Sequence, residues 1–498
     1  VYVWLGRGNT FGTFPVQALD PQTGGLTLGS IKRPGSFSDG DKYYLKNRAA
    51  WIDRPGEWAV QPDGDRLKVF FCPAEEADLR QVEAPKLDRA LVLVRDASHV
   101  RIEGLEVFGG RHFGIEVHSA DDVQVRRCVA YQNGGTGISL REATDSLVAQ
   151  NLSWQNEYGI SVSFSRGVVV EENDAGYNGV DGLLVTWKSD DVTVRRNCLH
   201  HHLLWGHPDN FQVYRGVTKL QFRDNLLLAG GQSVMMEETR DGVYEGNMIA
   251  GCGAYMLIFG HGNASHYKVL RNTLALSGYG VMSLTGEDYE VRENVMMTGH
   301  CGFLFGVRGV SGYRADRNLL FGSSRCEKVG VIATDRGWHR DFPSVQAATG
   351  QDQNSVYADP RFRHAPLGFC VLDSRRLEEC TRQRWYLRGG ATAFKTGDHI
   401  EVNFDGLPRR VTAVDAETIT VEPGLAEKPI KGWLVANWAE SDDFRLDLRL
   451  AGDSPGAKLA EGGGPVGSQI DIQAYLRGDF DGDGQRDLPP LPAELQPE

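Results

Sequence analysis

"FGIEVHSADDVQVRRCVAYQNGGTGISLREATDSLVAQNLSWQNEYGISVS", residues 113–163, repeats one short apolar run three times: "GIEV" at Ile115, "GISL" at Ile138 and "GISV" at Ile160. The run returns at Leu183, Phe211, Val234, Met256, Val281 and Phe303, with intervals of 23, 22, 23, 28, 23, 22, 25 and 22 residues. Asn151, Asn173, Asn197, Asn225, Asn247, Asn272, Asn294 and Asn318 keep step with it, each closing a patch such as "VRRN" or "VREN". Self-similarity at a fixed period outranks any single-residue signal. A period near 22 residues is too short for a pair of helices, and the "LxxLxLxxN" spacing of leucine-rich repeats is absent. It suits an all-β parallel β-helix, whose coils hydrogen-bond to one another so that residues in register stack. Ile115, Ile138, Ile160, Leu183, Phe211 and Val234 are then one internal column. The asparagines are a ladder at one turn, since Asn tolerates the left-handed conformation and its amide can bond from coil to coil.

Composition fits a large core. The 498 residues are 41% hydrophobic with 60 glycines, which implies two or three domains. No run reaches the roughly 18 apolar residues of a membrane span. The net charge of -13 argues against nucleic acid as a partner. The eight cysteines show no CxxC pair and no zinc spacing; Cys370 and Cys380 are near enough for a local disulfide, with buried free thiols the equal alternative. No signal-peptide pattern appears before Val1, so a secretory segment is expected either to have been removed or never to have existed. Residues 1–95 read as a β-rich domain, 96–365 as the β-helix with its groove, and 366–440 as a β-barrel-like module inserted into the last coils. Residues 441–498 read as the final β-helix segment with an acidic tail.

The stretches "YYLKNRAAWIDRPGEWAVQPDGDRLKVFFCP" (43–73) and "HVRIEGLEVFGG" (99–110), with the ending "DPRF … SPGAKL … DIQAY", resemble secreted bacterial right-handed β-helix carbohydrate-active enzymes. They are most similar to the glycoside hydrolase family that contains α-L-fucosidases and xylanases. The resemblance covers most of the chain and implies the right-handed β-helix, a poly- or oligosaccharide substrate, and a secreted, periplasmic or cell-surface location. Its motifs are architectural, so no catalytic residue of that family carries over.

Two residues before each strand reference stand Phe113, Thr136, Tyr158, Asp181, Asp209 and Gln232. Asp181 and Asp209 therefore fall in register on neighbouring coils, about 4.8 Å apart along the ladder. Their carboxylates are expected within roughly 4 to 7 Å, near the spacing of a retaining glycosidase. Like charges that close resist joint ionisation, which raises one of the two pKa values. The pattern also resembles polygalacturonase-type β-helix hydrolases, but Pro208 and Gln232 replace that family's further Asp and its His. Its inverting mechanism therefore does not transfer. Turn capping and metal binding are the alternatives for the pair.

The longest interval contains "LHHHLLWGHP", residues 199–208, a bulge beside the pair. Insertions in a solenoid fall on one face, often the binding face. Trp205 can stack on a sugar, and one of His200, His201, His202 and His207 can protonate a glycosidic oxygen, with His207 the best placed. Three adjacent histidines also suggest metal binding, but adjacent side chains on a strand alternate, so the three cannot all converge. The outward third position reads His118, Arg141, Ser163, Thr186, Tyr214 and Glu237, continued by Trp187, Arg215 and Glu238. Together with Gln212 these are candidate substrate contacts; a solvated charged face is the alternative, above all for Arg141.

"DFDGDGQRD" opens like an EF-hand loop, with Asp479, Asp481, Asp483 and Asp487 as candidate ligands of a structural calcium, but Pro490 stands where a closing carboxylate belongs. No cofactor is expected in the chemistry itself. Three function classes follow: a glycoside hydrolase on Asp181 and Asp209; a polysaccharide lyase or epimerase using Tyr214, His207 or Lys188 with Arg215 or calcium neutralising a uronate; and a glycan-binding β-helix without catalysis.

Overall fold

The structure, a computed structural model, describes residues 2–5, 10–29, 43–45, 48–55, 57–64, 66–73, 89–203, 208–260, 264–299, 303–307, 310–322, 332–334, 337–339 and 341–495. Two compact units divide the chain, residues 1–86 and 87–498. In the first, Tyr2–Leu5 pairs antiparallel with Thr10–Thr13 and Tyr43–Tyr44, and two further hairpins pair Val16–Leu19 with Leu26–Leu28 and Trp58–Asp63 with Arg66–Phe71.

The second unit is a parallel β-helix. Each coil contributes up to three short strands, on faces A, B and C, such as Tyr158–Ser163, Val169–Glu171 and Asp174–Gly176. Every strand pairs in parallel with its counterpart one coil on. The first face A strand is Ala90–Arg95, in register with Phe113–Arg126, so the coils begin ahead of residue 96. The column Ile115, Ile138, Ile160, Leu183, Phe211 and Val234 is in register and fully buried. It continues through Leu257, Met282 and Phe305, not through Met256, Val281 and Phe303. Those strands are apolar at adjacent positions, so hydrophobicity alone leaves their register open by a residue.

The corners that precede the ladder asparagines are single left-handed residues, among them Gln150, Glu172, Arg196 and Asp224. Such a residue costs about 1–2 kcal/mol when it is not glycine, and the asparagine next to it offsets the cost. Asn173 Oδ1 accepts both the backbone N–H of Asn151 at 3.0 Å and its side-chain Nδ2 at 2.8 Å, while Asn151 Nδ2 also donates to the Val125 carbonyl at 3.0 Å. The same bonds repeat through Asn197, Asn225, Asn247, Asn272, Asn294 and Asn318. A second ladder, Asn133, Asn156 and Asn178, lines the turn from face C to face A and ends on His202.

Residues 368–439 form a six-stranded antiparallel sheet whose edge strands are joined by a bridge between Leu372 and Leu387. Phe369, Val371, Leu434 and Trp438 from this module share an apolar cluster with Leu226, Leu228 and Met248 of face C. Asp447–Leu450 pairs antiparallel with Phe362–His364 and adds no parallel coil. Beyond it the chain runs back along the stack: the Gly467 N–H donates to the Glu293 carbonyl, Ser468 Oγ to Gly246, and the Tyr475 hydroxyl to Asp224. The segment from 441 is thus a strap across earlier coils, where a final β-helix segment was expected. Short strands between turn signals read alike in either role. Cys370 and Cys380 are buried and are not joined in a disulfide. Among the described residues no helix is long and apolar enough to cross a membrane.

Candidate active site

Asp181 and Asp209 lie one coil apart at the start of the face A strands, where Leu183 pairs with Phe211 and Asp209 with Gln232. Both are buried, at 2% and 0% exposure. Asp181 Oδ1 accepts the backbone N–H of Asp209 at 2.8 Å, and Gln232 Nε2 donates to Asp209 Oδ1 at 3.1 Å. The structure thus brings the two residues together. It also gives Asp181 a local structural duty, accepting the N–H of the next coil, where the ladder asparagines accept that of the preceding one.

His202 is the closest described histidine to this corner. Its Nδ1 lies 2.9 Å from Asn210 Oδ1 and its Nε2 3.3 Å from Asn178 Nδ2. A Cβ on Gly182 would sit 2.5 Å from His202 Cε1, so glycine is what makes room for this ring. Burial lowers the His202 pKa to about 3, so the ring is a neutral imidazole at neutral pH and has no imidazolium proton to give. It continues the ladder and is not a general acid. His200 and His201 lie on face C, within Cys198–His202, and not beside the aspartates. Trp205 and His207 lie outside the described residues.

The outward positions of face A are not one solvated column. Thr186 is buried, as are Glu116 and Ser139, two residues before the third position in their strands. Arg89 holds Glu116 through two bonds of 2.6 Å. Gln212 and Tyr214 are half-buried, in register with Leu184 and Thr186 on one side and Met235 and Glu237 on the other. At the corner between faces A and B, a second stack runs along the axis. Arg141 lies 5.0 Å over the Phe164 ring, Phe164 stacks on Trp187 at 5.8 Å, and the Arg215 guanidinium lies 4.3 Å over the same indole. Both faces of Trp187 are therefore occupied by protein, which leaves its edge, not its face, for a sugar. Arg141 is within 3.4 Å of the Glu142 carboxylate. Among the described residues, Lys188 and Arg215 have no carboxylate at ion-pair distance, and Glu237 and Glu238 no cation. On face B, by contrast, Arg195 and Arg196 pair with Glu171 and Glu172, and Arg223 and Arg271 with Glu245.

A cavity of about 450 Å³ opens elsewhere, between Met297 and Phe321 of face C and residues 359–369, with Arg361, Arg363 and His364 in its wall. It shares no lining residue with the aspartate pair.

In the tail, carboxylate oxygens of Asp479, Asp481 and Asp483 lie within 4.8 Å of one another. Asp479 also accepts the N–H groups of Gly482 and Gly484, at 2.8 and 3.2 Å. Asp487 Oδ2 instead accepts the Phe480 N–H at 2.9 Å, closing the loop on itself, and burial raises its pKa. Three carboxylates on one loop form an oxygen donor set that suits calcium.

Residues 77–227 match the family model of the right-handed β-helix region. No curated protein sequence matches. Among solved structures, similarity is found to the A-module of the Azotobacter vinelandii mannuronan C-5 epimerase AlgE4, at 17% identity and TM-score 0.26, covering 48% of this chain and 60% of that one. The DFA-IIIase of Arthrobacter chlorophenolicus A6 is similar at 12% identity and TM-score 0.28, covering 49% and 60%. The tailspike protein gp49 of Pseudomonas phage LKA1 is similar at 10% identity and TM-score 0.36, covering 69% and 67%. This chain thus spans about three fifths of the length of the first two. The fold is a right-handed parallel β-helix.

Proposed function

We propose that this chain is a carbohydrate-active enzyme that hydrolyses glycosidic bonds of a poly- or oligosaccharide lying across face A. The observation that carries this is the contact of Asp181 Oδ1 with the backbone N–H of Asp209 at 2.8 Å, which joins two carboxylate-bearing residues on successive coils. In the reaction one carboxyl protonates the glycosidic oxygen as the C–O bond breaks. The other either takes the sugar carbon and releases it to water, or takes the proton of the attacking water. Burial excludes bulk water from the pair and strengthens every charge interaction there. Gln232, hydrogen-bonded to Asp209, fixes that carboxylate, and Gln212 and Tyr214 offer polar groups along the same strand. The location that goes with such a substrate is outside the cytoplasm: secreted, periplasmic or at the cell surface.

A second reading is a uronate lyase or epimerase. It is favoured by Lys188 and Arg215, two exposed cations on adjacent coils next to Tyr214, with the Lys188 N–H bonded to the Arg215 carbonyl at 2.8 Å. A cation there would neutralise a uronate carboxylate while a base removes the neighbouring proton. Incubation with a panel of neutral and acidic polysaccharides separates the readings. Reducing ends without ultraviolet-absorbing products support hydrolysis, both together support a lyase, and neither supports a binding role or an epimerase.

A further inference from the structure

Face C is apolar along most of its outer surface, because the C-terminal module packs on it. One island breaks this. Asp174 and Cys198 are register partners flanked by Leu152 and Leu226, and His200 stands between Gly176 and Leu228. All three polar residues are buried, at 4%, 0% and 3% exposure. Removing a carboxylate and an imidazole from water inside an apolar interface costs several kcal/mol unless something compensates them.

The backbone is arranged to bring these groups together. A Cβ on Gly176 would lie 2.5 Å from His200 Cε1 and 2.7 Å from Nε2, so the absence of a side chain there lets the ring fold toward Asp174. His200 Nε2 ends 2.9 Å from Asp174 Oδ1, and Trp154 Nε1 donates to the same oxygen at 2.8 Å. His201 has φ +59°, which breaks strand alternation and turns its ring to the same side as His200. The two Nδ1 atoms are 2.7 Å apart, and the His201 ring stacks on Tyr177 at 4.6 Å. His201 Nε2 is buried without a hydrogen-bond partner. His200 and His201 thus converge while His202 turns to the ladder, so the three histidines do not all meet.

We propose that Asp174, Cys198 and His200 bind a zinc ion that pins face C beneath the C-terminal module. Their donor atoms, a carboxylate oxygen, a thiol sulfur and an imidazole nitrogen, lie within 4.8 Å of one another. Tetrahedral zinc with bonds of about 2.0–2.3 Å needs ligand separations of roughly 3.3–3.8 Å, within reach of side-chain adjustment. Binding replaces the Nε2–H of His200 and the thiol proton of Cys198, and both protons are released to solvent. His200 then keeps its proton on Nδ1 and donates it to His201 Nδ1, the outer hydrogen bond that orients a ligating imidazole. Water or another donor completes the fourth position. The set holds sulfur and nitrogen, which selects zinc over the calcium suited to the all-oxygen tail loop.

The test uses the full chain, stripped with chelator and titrated with cobalt(II). One equivalent is expected to bind with a thiolate-to-cobalt charge-transfer band, to be displaced by zinc, and to raise the unfolding temperature. Cys198→Ser and His200→Gln should each abolish the band. The oxygen-only tail loop cannot produce it. A folded native chain that takes up no cobalt with a thiolate band overturns the proposal and leaves a protein-only Asp–His–His hydrogen-bond chain. So does a band that persists in Cys198→Ser, which would place the metal on another thiol. If the variants do not fold, the titration of the native chain decides alone.

Discussion

Asp181 Oδ1 accepts the backbone N–H of Asp209 at 2.8 Å, so one carboxylate of the pair supports the coil that carries the other. Asparagine keeps the accepting oxygen and removes only the charge and the proton. Asp181→Asn and Asp209→Asn should therefore fold with near-native stability while turnover falls at least roughly a hundredfold, the scale of lost acid–base catalysis. Circular dichroism and turnover on the polysaccharide found in the screen check this. Near-normal turnover in both, with activity abolished by Tyr214→Phe or Glu237→Gln, would move the chemistry to the far end of the strands.

Asn225 sits in mid-ladder. Its Oδ1 accepts from the Asn197 amide and side chain, both at 3.0 Å, and its Nδ2 donates to Val194 and Asn247. Asn225→Ala leaves several buried polar groups without partners at about 1–3 kcal/mol each. A loss of about 3 kcal/mol or more is expected in denaturant unfolding. A change below about 1 kcal/mol would show that the ladder does not support the corner.

Glu401 in the C-terminal module is buried; it accepts Trp438 Nε1 at 2.9 Å and the Gly406 N–H at 3.2 Å. Burial raises its pKa to about 7, above the ordinary 4.5. The folded chain therefore holds the proton more tightly than the unfolded one. The associated stability is fully present below about pH 4.5 and is lost as pH rises toward 7, by on the order of 3 kcal/mol. Glu401→Gln should flatten the stability profile across that window. An unchanged slope in urea unfolding at successive pH values would refute it.

Calcium bound by Asp479, Asp481 and Asp483 should raise the unfolding temperature of the native chain, reversibly with chelator. Asp479→Asn with Asp481→Asn should remove the shift, because oxygen sites weaken steeply as carboxylate charge is lost. Equal melting with and without calcium, with no calcium retained after dialysis, would count against the site.

The period of the apolar runs and the asparagines determined the coil, its core column and its main ladder. Stacking forces equivalent residues into register, and a spacing in sequence becomes a contact in space. It also placed Asp181 next to Asp209 for the same reason. The last three core positions were open by one residue because adjacent positions there are all apolar. Only the tertiary structure decided where the histidines go. The left-handed backbone at His201 and the space left at Gly176 bring His200 and His201 together on face C, and Gly182 admits His202 to the ladder. Nothing in the spacing of "LHHHLLWGHP" distinguishes these roles. The strap from residue 441 was equally hidden, because its partners Glu293, Gly246 and Asp224 lie about 170 to 250 residues away in the chain and are chosen by packing, not by any local repeat.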